Sequence, residues 1–332
     1  IVPQLATLSE SLQCIESGSF SATILKQAQA TLHPGQLPGA SASIRLLRKI
    51  LDRFDYRLNP LVFLPLNTFL LWDLQQILAL EKWKLVRTNT IKQWFTILSE
   101  MEALNSLGRF AFNHPHYAYP QLSDMPGIYA GESIGHPLIP ADKRVNNDFN
   151  SSGKPAIALI TGSNMAGKST FLRAIGINQV LAMAGSVACA RSLTVANMRI
   201  MSSMRIADNL EENTSTFYAE LRKLKSIIEQ VNRHEPVFLL LDEILRGTNS
   251  QDRQAGSKAL LQQLCRESAC GILATHDITL TQLSDQYPDA ISNYHFDASV
   301  NGEELYFDYT LKPGICTSMN ASILMKKIGI DL

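Results

Sequence analysis

The sequence has no charge bias: its 332 residues carry 30 basic and 30 acidic side chains, a formal net charge of zero. A chain that binds nucleic acid unaided normally shows a strong positive excess. Any DNA contact is therefore expected from a local patch or from sequence beyond this stretch. Cysteine is scarce. Cys14, Cys189, Cys265, Cys270 and Cys316 lack the paired spacing of a zinc site. An odd count without a secretory pattern favours reduced thiols in the cytosol. The most apolar stretch, Leu58 to Leu74, contains two prolines, two asparagines and an aspartate. A spanning helix wants ~20 largely uninterrupted apolar residues. The stretch is expected instead to form a buried or partner-facing helix starting near Pro65. No repeat or low-complexity segment stands out. The chain starts at Ile1 rather than Met, which reads as a fragment or a processed chain.

The composition, 45% hydrophobic and 18% charged, suits a globular protein of about two domains. Residues 1–112 read as helices. Leu5, Leu8, Leu12 and Ile15 repeat at helical spacing, as do Ile44, Leu47, Ile50 and Phe54. Arg45, Arg48, Lys49 and Arg53 fall around the second of these, a face that could touch DNA phosphate but is expected to be solvated. The helical pattern continues through Trp72, Leu80, Trp83, Ile91, Phe95 and Leu98. Breaks near Thr88 to Thr90 leave open one long helix or an antiparallel pair. Five prolines between Pro115 and Pro140 then interrupt regular structure, and the domain boundary is placed near residue 120. His114 and His116 have no third ligand nearby and read as surface histidines. Residues 146–153 are expected to be a turn.

From residue 156 strand and helix patterns alternate, which argues a mainly parallel α/β sheet. The apolar run Ile157 to Ile160 feeds Gly162-Ser163-Asn164-Met165-Ala166-Gly167-Lys168-Ser169, followed by Thr170. This fits the phosphate-loop pattern at every fixed position. Glycines at 162 and 167 let successive N–H groups point at a phosphate, and the following helix adds its positive end. Lys168 would reach the β/γ-phosphates of a nucleoside triphosphate and the Ser169 hydroxyl would ligate Mg²⁺. Phe171, Leu172, Ile175, Val180 and Leu181 are expected on the apolar side of that helix.

A second run, Val237 to Leu241, reads as a strand buried on both faces and lying beside the loop's strand. It ends in Asp242-Glu243. Asp242 can hold Mg²⁺ with Ser169, and Glu243 can polarise the attacking water. His276 follows a third apolar run, Gly271 to Thr275, and is a candidate to assist. Ser215 and Thr216 open a helix continuing through Phe217, Leu221, Leu224, Ile228 and Val231. Ser215 suits an N-cap, and a helix start is also an anion site. Near the end, Tyr294 to Phe296 and Leu305 to Tyr309 suggest a hairpin around Asn301-Gly302, and 318–328 a short closing helix.

The loop at 162–170, Ser215-Thr216-Phe217 with Glu220, Asp242 to Ser250 (Asp-Glu-Ile-Leu-Arg-Gly-Thr-Asn-Ser) and Ala274-Thr275-His276 occur in this order. Together they resemble the ATPase domain of the MutS family of DNA mismatch-repair proteins, from about residue 120 onward. Gly135 to Ile139 resembles the segment introducing it. The resemblance implies an ABC-type ATPase domain over 121–332, preceded by an all-α core or lever region over 1–120. It implies a homodimer with two composite sites, in which Ser215 and Thr216 of one copy reach the γ-phosphate bound by the other. It places the loop Arg246 to Ser250 at the dimer interface and Val145 against adenine, with Arg144 where the family usually has an aromatic residue. It also implies ATP and Mg²⁺, DNA as a partner, a possible repair partner protein, and a cytoplasmic protein whose membrane association would come from sequence upstream. Two positions depart from the family. Ala166 and Leu245 stand where glycine is usual, and a methyl at Ala166 requires a negative φ. The mismatch-reading domain is not among these residues, so an ABC-type ATPase acting in recombination or at a membrane is the alternative.

Overall fold

The computed structural model describes residues 2–33, 35, 38–153, 156–163, 165–204, 216–301 and 304–316. The chain divides into two compact units, Ile1–Gly108 and Arg109–Leu332. The first contains α1 (Val2–Ser17), α2 (Thr23–Leu32), α3 (Ala40–Phe54), α4 (Pro60–Leu70) and most of α5 (Trp72–Asn113). Its core gathers Leu12, Ile15, Leu32, Ala40, Ile44, Trp94 and Ile97. Leu5 and Leu8 pack against that core, as their spacing predicts. Arg45, Arg48, Lys49 and Arg53 are exposed, the expected solvated face. Between Trp72 and Asn113 the helix is unbroken. The hydroxyls of Thr88 and Thr90 bond back to the carbonyls of Lys84 and Arg87, at 2.6 and 3.1 Å, instead of ending the helix.

The Leu58–Leu74 stretch differs from expectation. Its helix starts at Pro60, not Pro65. Asn59 caps it by accepting from the Leu61 N–H at 3.1 Å, and proline at the first position gives up a donor that has no partner there anyway. No residue of α4 is buried.

The second unit is mixed α/β. A six-stranded sheet has the order β10-β9-β4-β8-β7-β6, with β4 (Ala156–Thr161), β6 (Arg199–Ser203), β7 (Val237–Asp242) and β8 (Cys270–Ala274). All neighbours are parallel except β9 (Ile291–Asn301) and β10 (Glu304–Pro313), which form the expected antiparallel hairpin. Its Gly302, and the closing helix expected at 318–328, lie outside the described residues. Even positions of β4, β7 and β8 (Ala158, Ile160, Phe238, Leu240, Ile272) face the core beneath α6 (Lys168–Met183). Odd positions (Ile157, Leu159, Leu239, Leu241, Leu273) face the core built with α7 (Thr216–Asn232) and α8 (Ser250–Arg266). Continuous apolar runs are what such two-sided burial demands. A four-residue helix, α9 (Leu283–Gln286), precedes β9.

Three expectations change here. β8 lies between β4 and β7, so the Asp242 strand is next but one to the loop's strand, not beside it. Residues 147–152 form a strand, β3, rather than a turn. Asn147, Phe149 and Ser151 point inward in alternation, a period hidden by small polar residues. β3 closes a four-stranded sheet, β1-β5-β2-β3, with β1 (Gln121–Ser123), β2 (Ile128–Ile134) and β5 (Ser192–Ala196). Finally, Val180 of α6 is exposed while Asn178 and Gln179 are buried. These amides clamp loop backbone: Asn178 bonds the carbonyls of Gly135 and Ala174 and the N–H of Cys189, and Gln179 bonds the carbonyls of Ala196 and Met198. Amphipathic spacing cannot register a buried polar side chain whose amide is taken up by backbone groups; of these two amides only Gln179 Oε1 has no partner among the described residues.

Candidate functional site

The loop at 162–167 joins β4 to α6, at the carboxyl ends of the parallel strands where α/β sheets gather their ligands. Its path needs glycine at two points. Gly162 has φ +144°, and a Cβ there would sit 2.5 Å from the Phe296 carbonyl oxygen. Gly167, at φ +104°, forms the left-handed N-cap of α6. Met165 also takes a positive φ of 69° and is exposed, whereas Ala166 is buried and keeps out of the positive region, meeting the condition its methyl imposes. Asn164 lies outside the described residues. α6 reaches over β8 to β7 because Gly176 lets it approach closely; a Cβ there would be 2.8 Å from Leu240 Cδ1.

That crossing brings the chemistry together. The Ser169 hydroxyl donates to Asp242 Oδ2 at 2.6 Å. Asp242 is buried, and its Oδ1 has no hydrogen-bond partner among the described residues. Lys168 is 4% exposed and its ammonium donates to the carbonyls of Gly162 and Ser163 at 2.7 and 2.9 Å. Burial holds its pKa down to about 8, opposed by the Asp242 charge. His276 Nδ1 lies 3.3 Å from Lys168 Nζ and 2.9 Å from the Gly162 carbonyl, and Nε2 meets Glu243 Oε1. Burial, then the Lys168 charge, lowers the His276 pKa. Nε2, against the Glu243 carboxylate, carries a proton as donor, while Nδ1 faces both an acceptor, the Gly162 carbonyl, and a donor, the Lys168 ammonium, so its protonation follows whichever of the two it engages. The second Glu243 oxygen, Oε2, is held by the Arg246 guanidinium.

A cavity of about 580 Å³ opens beside these groups. Ser163, Met165 to Thr170 and Glu243 line one side, and Arg144 and Val145 another. Arg144 is fixed by bonds to Asn146 Oδ1 and Tyr117 Oη, both 3.0 Å, and by its position over the Tyr117 ring. The structure thus gathers Lys168, Ser169, Thr170, Asp242, Glu243 and His276 with the described loop residues, and sets Val145 on the cavity wall. Ser215 lies outside the described residues. Thr216 opens α7, and its side chain also lies outside them.

Sequence reasoning missed His136, Arg173 and Tyr309, which also line the cavity. Tyr309 covers Gly167, with Cδ1 3.1 Å from a Cβ placed there. It sits in a β10 irregularity that Asn147 clamps: the amide donates to the Tyr309 carbonyl at 3.0 Å and accepts from the Leu311 N–H at 2.6 Å. The one signal was Asn147 itself, an inward amide at the start of a strand. Leu245, the second departure from glycine, has φ +59°, a left-handed conformation that glycine adopts without cost. Its N–H donates to Glu220, which ties the loop to α7. Among the described residues no cluster of three or more His, Cys, Asp or Glu could hold a metal.

A strand, a glycine loop and a helix whose first-turn serine meets the acidic end of a second strand together define a phosphate-loop α/β domain. Known families narrow this further. The MutS domain V model matches residues 158–328. The DNA mismatch repair protein MutS of Natronomonas pharaonis is 32% identical over 234 residues, covering 68% of this chain and 26% of that protein. The chain belongs to the MutS family, and it spans about a quarter of the length of that relative.

Proposed function

We propose that this chain is the nucleotide-hydrolysing part of a MutS-type, ATP-dependent DNA-binding protein of the mismatch-repair kind. The Ser169–Asp242 pair carries the reading, because a buried carboxylate oxygen without a partner among the described residues stands beside a hydroxyl and a phosphate loop. One hydroxyl and one carboxylate, with room for water and phosphate oxygens, fit Mg²⁺. Bound there, Mg²⁺ supplies charge neutralisation across the phosphates of ATP.

The chain's own groups do the rest. Lys168 turns its donors from the Gly162 and Ser163 carbonyls to the phosphate oxygens, joined by the N–H groups of the loop through Thr170. Glu243 accepts the proton of a water attacking the γ-phosphorus while the bond to the bridging oxygen breaks and ADP leaves. His276 Nε2–H orients that carboxylate. Glu243 is a poor base while Arg246 holds it, so release of Arg246 precedes hydrolysis. Val145 contacts the adenine. Ser215 and Thr216 complete the site of a second copy in a homodimer, with Arg246 to Ser250 at the contact. Nucleotide state then controls DNA binding, together with a repair partner protein, in the cytoplasm. Residues 1–120 serve as the helical core or lever of this machine, and 121–332 as its ABC-type ATPase domain.

Glu243→Gln tests the assignment. Nucleotide binding should stay within about twofold, while phosphate release falls by about 10²–10⁴. Turnover at the unmodified rate would remove Glu243 from the role of base. The zero net charge favours a second reading, in which the same ATPase works in recombination or at a membrane without recognising mismatches. Titration of the full-length protein with paired, mismatched and branched DNA separates them, since only the first predicts preference for the mismatch.

A further inference from the structure

The face that α4 leaves bare has a chemistry that selects its partner. Residues 58–72 contain no charged side chain. Leu61, Leu64 and Phe69 are 87%, 71% and 83% exposed. With Val62 and Leu70 these side chains spread over roughly 240° of the helix circumference at 100° per residue. A protein groove covers one stripe of a helix, of the order of 100°. A helix apolar over more than twice that width is covered by the interior of a larger protein or by lipid, and its length and flanks decide which. The helix has 11 residues, or about 16 Å, half the ~30 Å of a bilayer core. No single described helix is long and apolar enough to cross a membrane, and α4 meets α5 at a bend of 78°. Such a segment lies in the boundary between headgroups and acyl chains.

The flank of α4 matches that boundary. Tyr56 and Trp72, which flank α4 in the chain, stack on each other at 5.9 Å, with the Trp72 Nε1–H donating to the Arg53 carbonyl at 3.1 Å; aromatic rings with one polar edge favour the headgroup level. The preceding segment, 45–57, carries five basic residues (Arg45, Arg48, Lys49, Arg53, Arg57) against Asp52 and Asp55. Asp73, the first acidic residue after α4, is already paired with Arg57 at 3.7 Å.

We propose that α4 is a peripheral membrane anchor: it inserts into the surface of an anionic lipid bilayer, with Arg53 contacting lipid phosphates. This reading is independent of the nucleotide site. It is tested by flotation of the 332-residue chain with vesicles of phosphatidylglycerol and phosphatidylcholine, and with phosphatidylcholine alone. Binding is expected to favour the anionic vesicles and to weaken about fivefold in Arg53→Gln. The double variant Leu64→Glu/Phe69→Glu should lose binding at least about tenfold with an unchanged thermal midpoint, since neither side chain is buried. Absence of vesicle binding, or binding indifferent to the double variant, overturns the proposal. So does self-association that the double variant abolishes in a chain that ignores vesicles, which would assign the face to a second copy.

Discussion

The hydrogen bond between Ser169 and Asp242 can be measured in isolation by a double-mutant cycle. Ser169→Ala removes the donor to a buried carboxylate whose other oxygen has no partner among the described residues. A hydrogen bond to a charged group contributes about 1.5–3 kcal/mol. Alanine at this first-turn position returns about 0.5 kcal/mol of helix propensity. The net loss is thus about 1–2.5 kcal/mol. At roughly 2–4 °C per kcal/mol for a unit of this size, the thermal midpoint of the second unit should fall by about 2–10 °C. Asp242→Ala changes stability by an amount that mixes lost packing with relief of an unpaired charge, and its sign alone is uninformative. The double variant resolves this. If the pair interacts as the distance requires, the two single effects exceed the double by about 1.5–3 kcal/mol. Scanning calorimetry of the four proteins without nucleotide or metal gives the comparison. Additivity within about 0.5 kcal/mol would mean that the two groups do not communicate, and the metal-binding argument would lose its footing.

Other outcomes follow from the same geometry. The Lys168 pKa of about 8 in the folded chain lies below its ordinary value of 10.5, so the unfolded chain binds more protons between these values and stability rises with pH across that window. In the same range an unliganded Lys168 is neutral, and the dissociation constant of a fluorescent ATP analogue should rise about tenfold from pH 7 to pH 9. A change under twofold, or one equally present in Lys168→Met, argues against it. Gly162→Ala forces a methyl against the Phe296 carbonyl at a left-handed φ and should cost about 2–4 kcal/mol, read as a lower denaturation midpoint. Asn178→Ala strips partners from the buried carbonyl of Gly135 and the N–H of Cys189. It should cost about 2–4 kcal/mol by the same measurement, and a loss below 1 kcal/mol would mean that water replaces the amide.

What the sequence disclosed depended on how narrowly each local conformation restricts the residues that can adopt it. The loop at 162–169 is legible because left-handed turns at Gly162 and Gly167 exclude most side chains, and because β7, buried on both faces, leaves an unbroken apolar run at 237–241. Helix α5 was legible in extent but not in continuity, since Thr88 and Thr90 are weak helix formers that the helix absorbs through their hydroxyls. The four-stranded sheet was not legible. Its β1 has three residues, and β3 buries Asn147 and Ser151, so neither shows the apolar alternation that marks a half-buried strand. The inward amides of α6 escaped for the same reason. Tyr309 reaches the loop only through the fold of β10 and a bond to Asn147, 162 residues away, which no local pattern encodes.

The position of β8 has a mechanical consequence. Because it separates β4 from β7, the phosphate loop and Asp242 stand two strand spacings apart, roughly 9.6 Å, and the Ser169–Asp242 contact is set against that gap. β8 also fastens both sides: its Ala274 carbonyl accepts from the Glu243 N–H at 2.9 Å, and the adjoining Thr275 N–H donates to the Ile160 carbonyl at 2.9 Å. It is a gauge block between two jaws. A substitution that thickens or tilts β8, such as a larger residue at Ala274, would change how the jaws meet while every phosphate- and metal-facing residue keeps its identity.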